Sequence, residues 1–173
     1  MRRKKAFTLV ELLVVISIIA LLMGITMPVL AKARQIARRT VCKSNLRQLG
    51  LGFKMYLDDN RDTMPPAVQL PSLEPNSPKI TEFLKPFITE QLAFCCPADT
   101  GKKRYLSETT SYEYNAFLGG KPVSKSWLSE RLGEKERNIH IMRDYEPFHG
   151  QAGKPGATNY LYADTHVGDG RKQ

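Results

Sequence analysis

The chain has 173 residues, which allows one domain of ordinary size and an appendage. Its formal net charge is +9, with four basic residues at positions 2–5 and six more between positions 32 and 47. These basic tracts carry no zinc-finger spacing, RNA-binding signature or interleaved aromatic residues, which argues against nucleic-acid binding.

The segment from residue 7 to residue 30 carries a single charge, Glu11, in an otherwise largely apolar run. As a helix its 24 residues would extend about 36 Å, enough to cross the roughly 30 Å hydrocarbon core of a bilayer. A charge inside a membrane helix costs roughly 2.5–3.5 kcal/mol, so Glu11 requires a compensating partner.

A secretory signal peptide is the alternative interpretation of this segment. The basic start, the apolar stretch and the small residues of "AKA" at 31–33 suit cleavage after Ala33. The mature protein would then be a secreted soluble domain, with metal binding as one option. The length of the apolar stretch and the carboxylate of Glu11 count against this alternative.

The helix is predicted to continue for about 50 residues in total, because its apolar side chains keep a helical spacing. Five of them follow a 4-3-4-3 pattern that puts them on one stripe: Cys42, Leu46, Leu49, Phe53 and Tyr56. Pro28 is predicted to kink the helix without ending it, and Gly50 and Gly52 to weaken it locally. The second half of the helix therefore needs a domain to pack against.

The sequence "KKAFTLVELLVVISIIALLMGITMPVL" resembles the amino terminus of type IV prepilins and of the pseudopilins of type II secretion. The resemblance implies that residues 1–6 are a leader and that prepilin peptidase cuts between Ala6 and Phe7. It also implies that the new amine of Phe7 is methylated, and that Glu11 pairs with this amine on a neighbouring subunit during assembly. The family usually has Gly where this chain has Ala6.

Residues 61–80 are rich in proline and are predicted to form an extended linker, with a short helix following in residues 80–88. Three later segments show the pattern of short strands with turns: "SYEYNAFLGG", "NIHIMRD" and "NYLYADTHVGDG". The alternation in "YLYADTHV" predicts one half-buried strand. The predicted fold class is α+β, a long helix packed on a small antiparallel sheet, which is also the pilin arrangement. The predicted parts are the leader (1–6), a transmembrane and assembly helix (7–30), its amphipathic continuation (31–60) and an α+β head (61–173).

The three cysteines match no zinc or haem spacing and allow one disulfide with a spare thiol. From the residues alone, two possibilities stay open. Either all three cysteines are reduced, or a disulfide joins Cys42 to Cys95 or Cys96. The chain also resembles a subgroup of pseudopilin-like proteins through "CKSNLRQLGLGFKMYLDDN", a "CP" step, "SYEYN" and "ADTHV". That subgroup has its cysteine directly before Pro, which implies a Cys42–Cys96 disulfide and a buried, apolar Cys95. The two bridged Cα atoms should then lie within about 7 Å.

One group of residues could bind a ligand: His149, Asp164, His166 and Asp169. The subgroup typically has "DGH" near its end, whereas this chain has Thr165 between Asp164 and His166. A turn stabilised by Asp and His side chains is the favoured interpretation, with a calcium site in "ADTHVGDG" or acid–base catalysis as alternatives. Because no nucleophile motif, phosphate loop or HExxH accompanies them, the chain is predicted to be no enzyme and to need no cofactor or metal.

The predicted function is that of a structural subunit in a type II secretion pseudopilus or a type IV pilus-like fibre. The resemblance implies four kinds of protein partner: copies of itself, minor pseudopilins, prepilin peptidase and the secretion or assembly platform. It also implies a single pass through the bacterial inner membrane, in contact with lipid, and a head in the periplasm. Charge counting does not orient the span, because basic residues flank both ends. A permanently anchored envelope enzyme remains a further alternative.

Overall fold

The computed structural model of the protein describes residues 8–126, 129–130 and 135–170. The chain divides into two units, Met1–Ala37 and Arg38–Gln173. Helix α1 (Leu9–Asp59) begins in the first unit and ends in the second, and its 51 residues agree with the predicted length. Pro28 lies inside α1 and does not end it.

The second unit forms around the predicted stripe of α1, whose five side chains are all buried. Gly50 and Gly52 also face this core, and each allows a close approach that a side chain would block. A Cβ atom at Gly50 would lie 2.9 Å from Leu161 Cδ1, and one at Gly52 would lie 2.5 Å from Ile88 Cδ1. The two glycines, which were predicted only to weaken the helix, are therefore packing positions.

The sheet has four antiparallel strands in the order β1-β2-β3-β4. They are β1 (Tyr112–Tyr114), β2 (His140–Asp144), β3 (Tyr160–Tyr162) and β4 (Val167–Gly168). In β1–β2 pairing, Tyr112 is opposite Asp144, and a register shift follows His140 in the pairing of β2 with β3. The long helix packed on this sheet confirms the predicted α+β class.

The prediction of a single strand in "YLYADTHV" was wrong, because the chain turns between β3 and β4. The turn is closed by a hydrogen bond from the Thr165 amide to the Tyr162 carbonyl (2.8 Å), and the Tyr162 amide donates to the His166 carbonyl (2.9 Å). Thr165 has φ of +69°, a left-handed conformation that favours glycine. The chain therefore makes the tight turn despite having Thr at this position.

Short elements complete the second unit. Helix α2 (Ile80–Leu84) confirms the predicted short helix, and α3 (Lys103–Glu108) follows it along the chain. The proline-rich segment is attached to the head through Met64 and Pro65. Met64 exchanges backbone hydrogen bonds with Lys121 and Gly120 (3.0 and 2.9 Å), and the Tyr114 hydroxyl donates to the Pro65 carbonyl (2.8 Å). The proline-rich segment is therefore a loop that these hydrogen bonds hold against the head.

Candidate functional site

Thr8 and Glu11 form a reciprocal capping box at the start of α1. The amide and the hydroxyl of Thr8 donate to Glu11 Oε2 at 2.9 and 2.7 Å, and the Glu11 amide donates to Thr8 Oγ1 at 3.2 Å. These bonds satisfy backbone donors that a helix start leaves without partners. The signature is present in the sequence as Thr-x-x-Glu, whereas Glu11 was predicted only to pair between subunits.

The predicted cleavage and methylation positions, Ala6 and Phe7, lie outside the described residues. The structure therefore does not test the leader, and the pairing of Glu11 with an amine remains a prediction. What the structure adds is that one carboxylate oxygen of Glu11 accepts both bonds from Thr8. Because a carboxylate has about four lone-pair sites, it can cap α1 and also face a cation.

The apolar side chains of α1 in residues 9–30 are all exposed. By length and composition, this helix is able to cross a membrane. The hydroxyls of Ser17 and Thr26 donate to the carbonyls of Val14 and Met23 at 2.8 and 3.4 Å, so they add little polarity to the surface. An apolar surface of this extent marks a site of contact with lipid or with other proteins.

A disulfide joins Cys42 of α1 to Cys96, with 5.1 Å between the Cα atoms. This is the pair that the subgroup resemblance implies, and its Cα separation is within the expected 7 Å. Both cysteines are fully buried, and Cys95 is a buried free thiol. Beside the bridge, Asn45 Nδ2 donates to the Cys95 carbonyl at 3.0 Å. The bridge and this hydrogen bond hold the segment around Cys95 and Cys96 against α1.

A polar cluster lies next to the disulfide, with Asp144, His149 and Asn159 buried and Arg39 half-buried. These four residues are here called the buried polar centre. His149 Nε2 lies 3.6 Å from Cys96 Sγ and 3.5 Å from Asp144 Oδ2. The Asn159 amide donates to Asp144 Oδ2 at 2.6 Å, and Arg39 Nε donates to Asn159 Oδ1 at 3.2 Å. The centre thus connects α1, the end of β2 and the start of β3.

Burial shifts the pKa values of Asp144 and His149, which are neighbours in the buried polar centre, so that the neutral form of each is favoured. It raises the pKa of Asp144 to about 7. It also lowers the pKa of His149 to about 4, with further lowering from the positive charges of Arg39 and Lys43. Between these two pH values the pair therefore holds one proton.

The four predicted ligand residues do not form one site in the described part of the chain. His149 belongs to the buried polar centre, whereas Asp164 and His166 are exposed at the β3–β4 turn. Asp164 Oδ1 accepts from the His166 amide at 3.2 Å, and the His166 ring stacks on Tyr162 at 4.2 Å. Asp169 lies 4.0 Å from the Arg39 guanidinium. Asp164 and His166 thus stabilise a turn, as the favoured interpretation expected.

The structure brings His149 to a different set of possible ligands. Within the described residues, the atoms of Cys42, Cys96 and His149 that could bind a metal lie within 4.8 Å of one another. Asp144 adjoins this group through His149. Asp144 was not among the predicted site residues, because its proximity to the cysteines comes from tertiary packing through His149 and not from any local motif.

Comparisons with known proteins divide the chain into two matched regions. Residues 1–27 match a family described as the prokaryotic N-terminal methylation motif, and residues 31–92 match one described as a protein of unknown function, DUF1559. Over 60 residues the chain is 45% identical to the type IV wide pilus major component PilA4 of Thermus thermophilus. This match covers 35% of the chain and 46% of that relative, so the chain spans about half the relative's length. No solved structure matches the chain.

Proposed function

We propose that the chain is a prepilin- or pseudopilin-type protein and serves as a structural subunit of a pilus-like fibre, and its N-terminal methylation motif supports this. The observation that carries this proposal is the exposed apolar surface of α1 in residues 9–30, which directly follows the capping box. Such a surface suits two successive environments, lipid before assembly and the helices of other subunits afterwards. The fibre is either a type II secretion pseudopilus or a type IV pilus-like structure.

The proposed maturation is cleavage between Ala6 and Phe7, followed by methylation of the Phe7 amine. Phe7 precedes Glu11 by four residues in the sequence. In a staggered bundle the Phe7 amine would meet the Glu11 carboxylate of a neighbouring subunit. A buried charge that is paired is far less unfavourable than one that is unpaired. Pairing would therefore favour subunits that dock at the correct stagger.

Copies of the chain, minor pseudopilins, prepilin peptidase and an assembly platform are the proposed protein partners. The first part of α1 crosses the inner membrane once, in contact with lipid, and the head lies in the periplasm. The Cys42–Cys96 disulfide supports this location, because disulfides persist in oxidising compartments. The work of the protein is polymerisation, with no reaction of its own.

Mass spectrometry of the mature chain tests the maturation step. We expect the mature protein to start at N-methylated Phe7 in both membrane and sheared-fibre fractions. A mature chain that starts at Arg34 and is found only in the soluble fraction would instead support a secreted domain and contradict the proposal. Ala6→Gly serves as the matched control, because Gly is usual in the family and should keep the same cleavage point.

A further inference from the structure

The disulfide and its buried neighbours form a group of four potential metal ligands. His149 Nε2 lies 3.6 Å from Cys96 Sγ and 3.5 Å from Asp144 Oδ2. Cys42 Sγ is bonded to Cys96 Sγ. In addition, Asp144 Oδ1 is buried and has no hydrogen-bond partner in the part of the chain that the structure describes. We propose that the thiol form of the head, before Cys42 and Cys96 are joined, binds one Zn²⁺ through Cys42, Cys96, His149 and Asp144.

Two of the observed distances match edges of a tetrahedral zinc site. With Zn–S of about 2.3 Å and Zn–N or Zn–O of about 2.0–2.1 Å, a tetrahedron has edges of about 3.6 Å for S–N and about 3.4 Å for N–O. The distances from His149 Nε2 to Cys96 Sγ and to Asp144 Oδ2 are 3.6 and 3.5 Å. The two sulfurs must separate from 2.01 Å to an edge of about 3.8 Å, and the potential ligand atoms of Cys42, Cys96 and His149 already lie within 4.8 Å of one another.

The surroundings suit the charge of such a site. Zn²⁺ with two thiolates, one carboxylate and a neutral imidazole has one net negative charge. Arg39 and Lys43 already act electrostatically on His149, so positive charge is in place to compensate. The Asn159 amide orients the Asp144 carboxylate by a 2.6 Å hydrogen bond, as outer-sphere donors do in metal sites.

Disulfide formation would release this metal. The two zinc-bound thiolates give two electrons to a disulfide oxidant, a sulfur–sulfur bond forms between Cys42 and Cys96, and Zn²⁺ leaves. The oxidant takes the electrons together with two protons and becomes a dithiol. Zinc would thus hold the two cysteines next to each other in the newly made head, away from Cys95, until the bond closes. This role is independent of fibre assembly and stands on the second unit alone.

The test uses the full chain in detergent micelles with Cys95→Ser, which leaves only the two site cysteines. Co²⁺ is titrated into the phosphine-reduced chain under argon, and Zn²⁺ is then added. We expect one Co²⁺ per chain, with the thiolate-to-cobalt and visible absorption of a tetrahedral site, and displacement by Zn²⁺. A disulfide oxidant should then release the metal to a chromophoric chelator, and the oxidised chain should bind none.

Substitutions distinguish metal binding at this site from metal binding by an unfolded chain. His149→Ala and Asp144→Asn should each weaken binding at least about tenfold. His166→Ala and Asp164→Asn, at the exposed turn, are matched controls that should bind as the parent does. Near-UV circular dichroism of the oxidised variants shows that each one folds. The proposal would be overturned by a reduced parent that binds no cobalt or by a His149→Ala chain that binds cobalt as tightly as the parent. Equal losses of cobalt binding in the turn controls would also overturn it.

Discussion

His149 Nε2 lies 3.5 Å from Asp144 Oδ2, and both side chains are fully buried. In the folded protein Asp144 keeps its proton to about pH 7, whereas its ordinary pKa is near 3.8. His149 stays neutral down to about pH 4, whereas its ordinary pKa is near 6.5. Between these limits the folded pair and the unfolded pair each hold one proton. The contribution of the pair to stability should therefore hardly change between about pH 4 and 6.5.

Removing one member of this pair should expose the pH dependence of the other. In Asp144→Asn only His149 remains, and the unfolded state binds the proton, so stability should rise with pH from about 4 to 6.5. In His149→Gln only Asp144 remains, and the folded state binds the proton, so stability should fall as pH rises from about 4 to 7. Each slope should approach 1.4 kcal/mol per pH unit at most. Denaturant titrations of the oxidised, metal-free chain at several pH values measure both slopes. Slopes of the same sign in the two variants would contradict the opposite pKa shifts of Asp144 and His149.

Replacing Thr165 by glycine should stabilise the head. The residue has φ of +69° at the turn between β3 and β4, and this conformation is unfavourable for a side chain with a branched Cβ. Thr165→Gly should raise the free energy of unfolding by about 1 kcal/mol. Thr100→Gly, in an exposed 3₁₀ turn, is the control and should not stabilise. A lower melting temperature for Thr165→Gly than for the parent would contradict the assignment of strain.

A methyl group at Gly52 should destabilise the head. The new Cβ would lie 2.5 Å from Ile88 Cδ1 and 3.0 Å from Ile88 Cγ1, so a buried side chain would have to move. Overpacking of this kind typically costs 1–3 kcal/mol, whereas Ala in place of Gly in a helix interior gains about 1 kcal/mol. Gly52→Ala should therefore lower the free energy of unfolding by up to about 2 kcal/mol. Gly24→Ala has no neighbouring atom within 4 Å and is the control. Equal unfolding midpoints for the two variants would show that Gly52 is not a packing position.

The features that were predictable from the sequence are those encoded locally. The buried stripe that begins at Cys42 follows from helical spacing, and the Cys42–Cys96 pair followed from the resemblance. The β3–β4 turn was missed because alternation in "YLYADTHV" does not distinguish one strand from a hairpin when the turn residue is Thr165. The buried polar centre was missed for another reason. Asp144 and Cys42 are about 100 residues apart in sequence, and only the tertiary fold brings them into one cluster, through Cys96 and His149.

Removing Cys42 and Cys96 together should show how much the disulfide stabilises the head. The disulfide closes a loop between residues 54 positions apart, for which the chain-entropy model gives about 4 kcal/mol. Cys42→Ser combined with Cys96→Ser should therefore lower the free energy of unfolding by about 2–4 kcal/mol. Cys95→Ser, at the buried free thiol, is the matched control and should retain the bridge. An unchanged unfolding midpoint in the double variant would contradict the stabilising role.

Glu11→Gln should impair fibre assembly and leave the start of α1 intact. Glutamine at this position keeps the capping box with Thr8, since its side-chain oxygen accepts the same hydrogen bonds. The substitution therefore removes only the charge that would meet the Phe7 amine, and leaving a buried charge unpaired typically costs 3–5 kcal/mol. Fibre yield should fall at least about tenfold, while Glu11→Asp, with a shorter carboxylate, should assemble partially.

Thr8→Ala is the complementary variant, because it removes the hydroxyl that joins the capping box but keeps the Glu11 carboxylate. If Glu11 acts through charge pairing, Thr8→Ala should assemble nearly as well as the parent, although losing a cap costs about 1 kcal/mol of helix stability. Sheared-fibre yield and the mass of the mature chain are measured together, so that a defect in cleavage is distinguished from a defect in assembly. Normal fibre yield from Glu11→Gln, or equal losses in Glu11→Gln and Thr8→Ala, would contradict the pairing and leave Glu11 with only its capping role.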